Sequence, residues 1–60
     1  MKEVRYSATI VETGGNMLPG LRAGDAIEVI REMKEDDGVY VGYICPIQEK
    51  LVFIPKAMTL

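Results

Sequence analysis

Apolar and polar side chains alternate at the start of the chain. From Val4 to Ile10 the apolar residues occupy even positions, and Arg, Ser and Thr occupy odd positions. This is the period-two pattern of a strand with one buried face. Residues 39–45 and 51–54 are rich in β-branched and aromatic residues, and each run is followed by a proline, which cannot donate to a ladder. The 39–45 run is also too short and too interrupted by glycine for a helix. The pattern therefore predicts short antiparallel strands.

Two turn-rich segments separate the predicted strands. Residues 11–25 contain Gly14-Gly15-Asn16 and Pro19-Gly20, which favour turns or tolerate positive φ, so we expect one long excursion there. Asp37-Gly38 lies between apolar runs and is typical of a hairpin. The tail, residues 56–60, is long enough for one short turn and a final edge strand.

Residues 26–33 fit two patterns. Apolar residues alternate with Glu28 as in a strand, whereas Ile27, Ile30 and Met33 recur at the spacing of a helix. The acidic run that follows disfavours a helix, because negative charge at a helix C-terminus opposes the macrodipole. We therefore favour a strand, and a helix is the alternative.

Composition narrows the possible functions. The chain has 60 residues, 7 basic and 9 acidic side chains, no His and one Cys. This length predicts a single domain over residues 1–60. Without His and with a single Cys, the chain lacks a His-paired nucleophile, an intramolecular disulfide and a Cys/His metal site. We therefore expect no catalytic residues, no metal and no cofactor.

The apolar content bears on location and partners. No apolar run approaches the ~18 residues of a membrane span, and the first residues do not resemble a signal peptide. We therefore expect a soluble, cytoplasmic protein without a membrane partner. Hydrophobic residues make up 48% of the chain, more than a domain of this size can hide. This excess predicts an exposed apolar patch used for self-association or for a protein partner.

From Leu18 onward the order of these signals resembles a Src-homology-3 domain. The matching positions are Leu18, Leu21, Gly24-Asp25, the alternating run 26–30, the acidic turn 35–37, Gly38-Val39-Tyr40-Val41-Gly42 and Phe53-Ile54-Pro55-Lys56-Ala57-Met58. They cover about two-thirds of the chain. The resemblance implies an all-β fold, a small antiparallel Src-homology-3-like barrel of about five short strands. In such a barrel the 11–25 excursion would flank a peptide groove.

Most aromatic side chains of that family's groove are absent. Val39 stands where the groove tryptophan is expected and Met58 where a tyrosine is expected, whereas Pro55 remains and Tyr40 lies nearby in sequence. These departures argue against ordinary recognition of proline-rich peptides, which lie between aromatic rings. We expect instead a non-catalytic module that binds a peptide or protein through the 12–22 loop and the 34–38 turn. The candidate contacts are Glu12, Met17, Leu18, Asp36, Tyr40, Pro55 and Met58.

Two other resemblances give alternatives. Residues 9–11, 14–19 and 20–29 are similar to small transcription regulators of the AbrB or MazE type, which are dimers that bind DNA through basic loops. Residues 1–25 contain only three basic side chains, and the net charge is −2. Because DNA affinity depends on Lys and Arg contacts to phosphate, we rank this function second and do not expect a nucleic-acid partner. Gly20-Leu21 and Gly24 are also similar to FeoA, an accessory domain of ferrous-iron transport, which is a weaker alternative.

Three further features have ordinary structural interpretations. The acidic residues at 35–37 predict a solvated hairpin tip. Cys45 shares its parity with the apolar residues of its strand and has no basic neighbour in sequence, which predicts a buried, inert thiol. Tyr40 and Tyr43 lie on opposite faces of one strand, so at most one of them faces the core.

Overall fold

The structure is a computed structural model that describes residues 1–12 and 20–60. Two predicted contact residues, Met17 and Leu18, lie outside the described residues. The described strands are β1 (Lys2–Thr9), β2 (Ala26–Glu35), β3 (Gly38–Cys45) and β4 (Lys50–Pro55), and a 3-10 turn, η1 (Lys56–Met58), follows them. The strands form one antiparallel sheet in the order β1-β2-β3-β4. The all-β prediction is confirmed, and residues 26–35 form a strand rather than a helix.

The described fold differs from the prediction in two respects: it has four strands instead of five, and the sheet does not close into a barrel. Within the described residues, the tail contributes a single bridge, between Ile10 and Thr59. The backbone N–H of Leu60 donates to the carbonyl of Thr9 at 2.8 Å. Pro55 and η1 take the chain out of β4, so too few residues remain to form another strand. The described residues therefore form an open four-stranded sheet whose last residues contact the end of β1.

β2 changes partners along its length. Within the part of the chain that the structure describes, residues 26–28 pair with β1 alone and residues 33–35 pair with β3 alone. Both ladders are interrupted at Ile30. An irregularity of this kind bends a strand and increases its twist. The bend turns the two halves of β2 toward different neighbours and wraps the sheet around its own core.

The core follows the predicted alternation. Even positions of β1 and odd positions of β3 point inward, and Tyr43 is buried while Tyr40 lies on the opposite face. Cys45 is buried, which confirms the prediction for its burial. The buried cluster consists of Ala8, Ile10, Ile27, Val29, Val41, Tyr43, Cys45 and Ile54.

The predicted hairpin joins β2 to β3. Glu35 pairs with Gly38, and Asp36 and Asp37 form the turn between them. Gly38 has a φ of 136°, which L side chains rarely adopt, so a glycine is favoured at this position. The acidic tip is exposed, as the sequence predicted.

Candidate interaction surface

The outer face of the sheet, opposite the core, carries a group of apolar and aromatic side chains. Tyr40 is paired with Pro55, and Ile44 is paired with Leu51. Residues directly opposite each other in an antiparallel pair share a face. Ile44 is 53% exposed and Leu51 is 38% exposed. We call this group the outer patch: Met33, Tyr40, Ile44, Leu51, Phe53 and Pro55.

Gly42 makes the outer patch continuous. It lies at the centre of β3 opposite Phe53 and is buried, although it faces outward. A β-carbon at Gly42 would lie 2.9 Å from Phe53 Cε1 and 3.2 Å from Leu51 Cδ1. It would also lie 3.2 Å from Arg31 Cβ. Neighbouring side chains therefore close over the bare backbone, an arrangement in which aromatic groups cover a strand glycine.

Charged groups border the outer patch. The hydroxyl of Tyr40 donates a 2.8 Å hydrogen bond to Asp37 at the hairpin tip. That bond is the main reason why the pKa of Tyr40 is raised. Arg31 lies beside Gly42 and forms a 3.4 Å ion pair with Glu3 of β1. The outer patch thus has negative charge at the hairpin tip and an ion pair, whose opposite charges offset each other, on the side of β1.

The structure brings together two of the predicted contact residues on the outer face. Tyr40 and Pro55 are direct cross-strand neighbours, and their proximity follows from the register of β3 and β4. Asp36 lies in the adjoining turn, where its neighbour Asp37 accepts the hydrogen bond from Tyr40. Tyr40 and Pro55 are therefore the part of the predicted site that belongs to the outer patch.

Two more of the predicted contact residues, Glu12 and Met58, lie together just after the end of β1. The backbone N–H groups of Val11 and Glu12 point to the carbonyl of Met58 at 2.9 and 3.4 Å. The Met58 side chain is partly buried and packs against the core cluster, whereas Glu12 is exposed. Met58 therefore stabilises the contact between the tail and β1, and its side chain contributes to the core.

A polar cluster missed by the sequence analysis joins three elements. The Tyr6 hydroxyl donates a 2.6 Å hydrogen bond to Glu32, and the Lys56 ammonium forms a 3.2 Å ion pair with the same carboxylate oxygen. Burial, followed by the bond to Glu32, raises the pKa of Tyr6 to about 12. The hydrogen bonds from Tyr6 and then Lys56 lower the pKa of Glu32. The cluster ties β1 and β2 to η1.

Sequence spacing held no signal for this cluster, because its members lie more than twenty positions apart. Within residues 1–12 and 20–60, no group of three or more His, Cys, Asp and Glu side chains is arranged to hold a metal ion. The described part of the chain also has no helix with the length and hydropathy that a membrane crossing requires.

Comparison with family models, curated proteins and solved structures found no match for this chain.

Proposed function

We propose that this domain is a non-catalytic interaction module that binds a protein or peptide partner on the outer patch. The observation that supports this most directly is the continuity of the patch across β2, β3 and β4 over Gly42. Ile44 and Leu51 are exposed, and the other four side chains of the patch are partly buried. Contiguous apolar surface that remains accessible to solvent is typical of interaction sites. Aromatic side chains such as Tyr40 and Phe53 are also enriched among residues that anchor partners.

The borders of the patch suggest the chemistry of the partner. Asp36 and Asp37 place negative charge at one end, beside Tyr40. A matching ligand carries apolar side chains that cover Leu51 and Phe53, with a Lys or Arg positioned toward the tip. Complementary charge of this kind orients a partner and speeds its association.

The order of elements supports a Src-homology-3-like module as the finer proposal. The strands β2 to β4 follow one another in a meander, and Pro55 leads into η1. This is the order of signals on which the resemblance rests. In this proposal the partner occupies a surface that retains Pro55 and Tyr40, with apolar side chains in place of most groove aromatics.

The proposal can be tested by selecting peptides from a random phage-displayed library on the folded domain. The selected peptides are then measured by fluorescence polarisation against the wild-type protein and Leu51→Ser. We expect Leu51→Ser to weaken binding about tenfold, which corresponds to ~1.4 kcal/mol. Leu60→Ser is the matched control, because Leu60 is 90% exposed and lies outside the patch.

Other results would exclude the proposal. A library without binders, or peptides that bind Leu51→Ser and the wild type equally, would reject the outer patch as the site. Duplex DNA is titrated in parallel at low and high salt. Strongly salt-dependent DNA binding, with no peptide binding, would support the regulator alternative instead.

A further inference from the structure

The ladder between β2 and β3 ends before either strand does. Its last pair is Val29 with Tyr43, yet β2 begins at Ala26 and β3 ends at Cys45. Among residues 1–12 and 20–60, the only strand partner of Ala26–Glu28 is β1, and the only strand partner of β3 beyond Tyr43 is β4. The two strands therefore diverge and leave a strand edge on each side of the gap.

The backbone of β2 presents hydrogen-bonding groups to this gap. The N–H of Ile10 donates to the carbonyl of Asp25 at 2.8 Å, so the carbonyl of residue 25 faces β1. Successive residues of an antiparallel strand direct their backbone groups to alternate sides. The N–H and C=O of Ala26 therefore point away from β1 and toward β3. An edge of this kind is a template for another strand.

The gap contains a cleft of about 290 Å³. Most of its lining residues are apolar in type, among them Leu21, Ile27, Ile30 and Pro46, while polar groups of the strands also contribute to its surface. Of the described residues that line it, Glu28 is the only charged one. The cleft is large enough for one or two aliphatic side chains, and the carboxylate at its side favours a cationic neighbour.

We propose that this cleft receives an extended segment of a partner polypeptide, which adds as a strand to the edge of β2 at Ala26–Glu28. Strand addition uses backbone hydrogen bonds for affinity and alternate side chains for specificity. The segment places an aliphatic side chain in the cleft and a Lys or Arg opposite Glu28. This site is separate from the binding surface proposed above, and the two meet only at Ile44, which belongs to both.

The test is a selection of random octapeptides on the wild-type domain, with depletion of the library on Ala26→Pro. Proline removes the N–H that faces the cleft and is tolerated at the first residue of a strand. Ala26→Val retains this N–H and is the matched control. We expect the selected peptides to alternate aliphatic and basic residues and to bind Ala26→Val within about threefold of the wild type. Binding to Ala26→Pro should fall more than tenfold.

A second measurement keeps the test decisive if Ala26→Pro fails to fold. N-methylation at every second residue of a selected peptide should abolish binding in one register and spare it in the other. The amide resonances of residues 26–28 should shift on binding. Selection without binders, or binding that survives both patterns of N-methylation, would overturn the proposal.

Other occupants give different results. If the edge pairs with a second copy of this chain, sedimentation velocity shows a dimer. The substitution Ala26→Pro then dissociates this dimer, and no selected peptide competes with its formation. If the cleft takes only small apolar molecules, selected peptides leave the amides of residues 26–28 unshifted. Either result overturns the proposal. Leu51→Ser should leave binding of these peptides unchanged, so this proposal and the outer-patch proposal can fail independently.

Discussion

The side chain of Ile47 lies directly against the α-carbon of Gly20. Gly20 has a φ of 77°, and a β-carbon there would overlap Ile47 Cδ1 and lie 3.0 Å from Cγ1. Ile47 is nevertheless 62% exposed, so its contact with Gly20 covers only one side of the side chain. The contact attaches the backbone at Gly20, which precedes β2, to the turn between β3 and β4.

Gly20→Ala should therefore lower the free energy of unfolding by about 1–3 kcal/mol, through backbone strain and the overlap with Ile47. Gly24→Ala is the control, because Gly24 has a φ of 97° but a β-carbon there would have no heavy atom within 4 Å. Urea denaturation gives both values. A second substitution, Ile47→Ala, should recover part of the lost free energy of unfolding when it is combined with Gly20→Ala, but not when it is combined with Gly24→Ala. An equal loss in the two glycine variants would show that the Ile47 contact has no energetic role.

Two tyrosines should respond in opposite directions to loss of their hydroxyl groups. The Tyr43 hydroxyl is buried and has no hydrogen-bond partner within the described residues, and an unpaired buried polar group is destabilising. Tyr43→Phe should raise the free energy of unfolding by about 1 kcal/mol. Tyr6→Phe should lower it, because the bond to Glu32 is lost. Thermal denaturation of both variants checks this, and a destabilised Tyr43→Phe would mean that the hydroxyl has a partner.

Stability should fall at alkaline pH through Tyr6. Its pKa in the folded protein is about 12, compared with 10.0 for an unperturbed tyrosine. The folded state therefore holds this proton more tightly than the unfolded state. The resulting stabilisation is complete below pH 10 and is lost as pH rises toward 12. The stability difference between the wild type and Tyr6→Phe should shrink over this interval in urea titrations, and a constant difference would contradict the assignment.

Cys45 should react only when the domain opens. It is 1% exposed, so a thiol reagent must wait for unfolding to reach the sulfur. We expect slow labelling by an aromatic disulfide reagent in buffer and a rate that rises with urea in proportion to the unfolded fraction. The unfolded protein in high urea is the control for intrinsic reactivity. Rapid labelling in buffer would place the thiol at the surface.

The faces of the strands are predictable because side chains alternate with a period of two. Parity alone assigns Ala8, Val41 and Tyr43 to the apolar face of their strands, and all three are buried. The hairpin is predictable because Asp37-Gly38 has a strong local preference for a turn. Both signals are local in sequence, so they need no knowledge of which strands pair.

Features that depend on pairing are not predictable in this way. The sequence pattern does not indicate the irregularity at Ile30, because it occurs where β2 pairs with both β1 and β3. The length of the tail predicts a fifth strand, but η1 occupies three of its five residues. The Tyr6 and Glu32 contact joins separate strands and depends on their register.

The candidate site is predictable in part. A resemblance singles out Tyr40 and Pro55, and the register of β3 and β4 makes them neighbours. The rest of the outer patch depends on Gly42, which in the sequence is a sign against a helix and one position of the Src-homology-3 resemblance. Its role in letting Phe53 and Leu51 close over β3 follows from the pairing.

The bridge between Ile10 and Thr59 has a consequence for the order of folding. The two turns of the β2–β4 meander close over short stretches of chain, so these hairpins can form early at little entropic cost. The bridge joins residues from nearly opposite ends of the chain, and its closure requires the sheet to be in place. Contacts at Thr59 should therefore form late, and weakening them should speed unfolding while leaving the rate of folding almost unchanged.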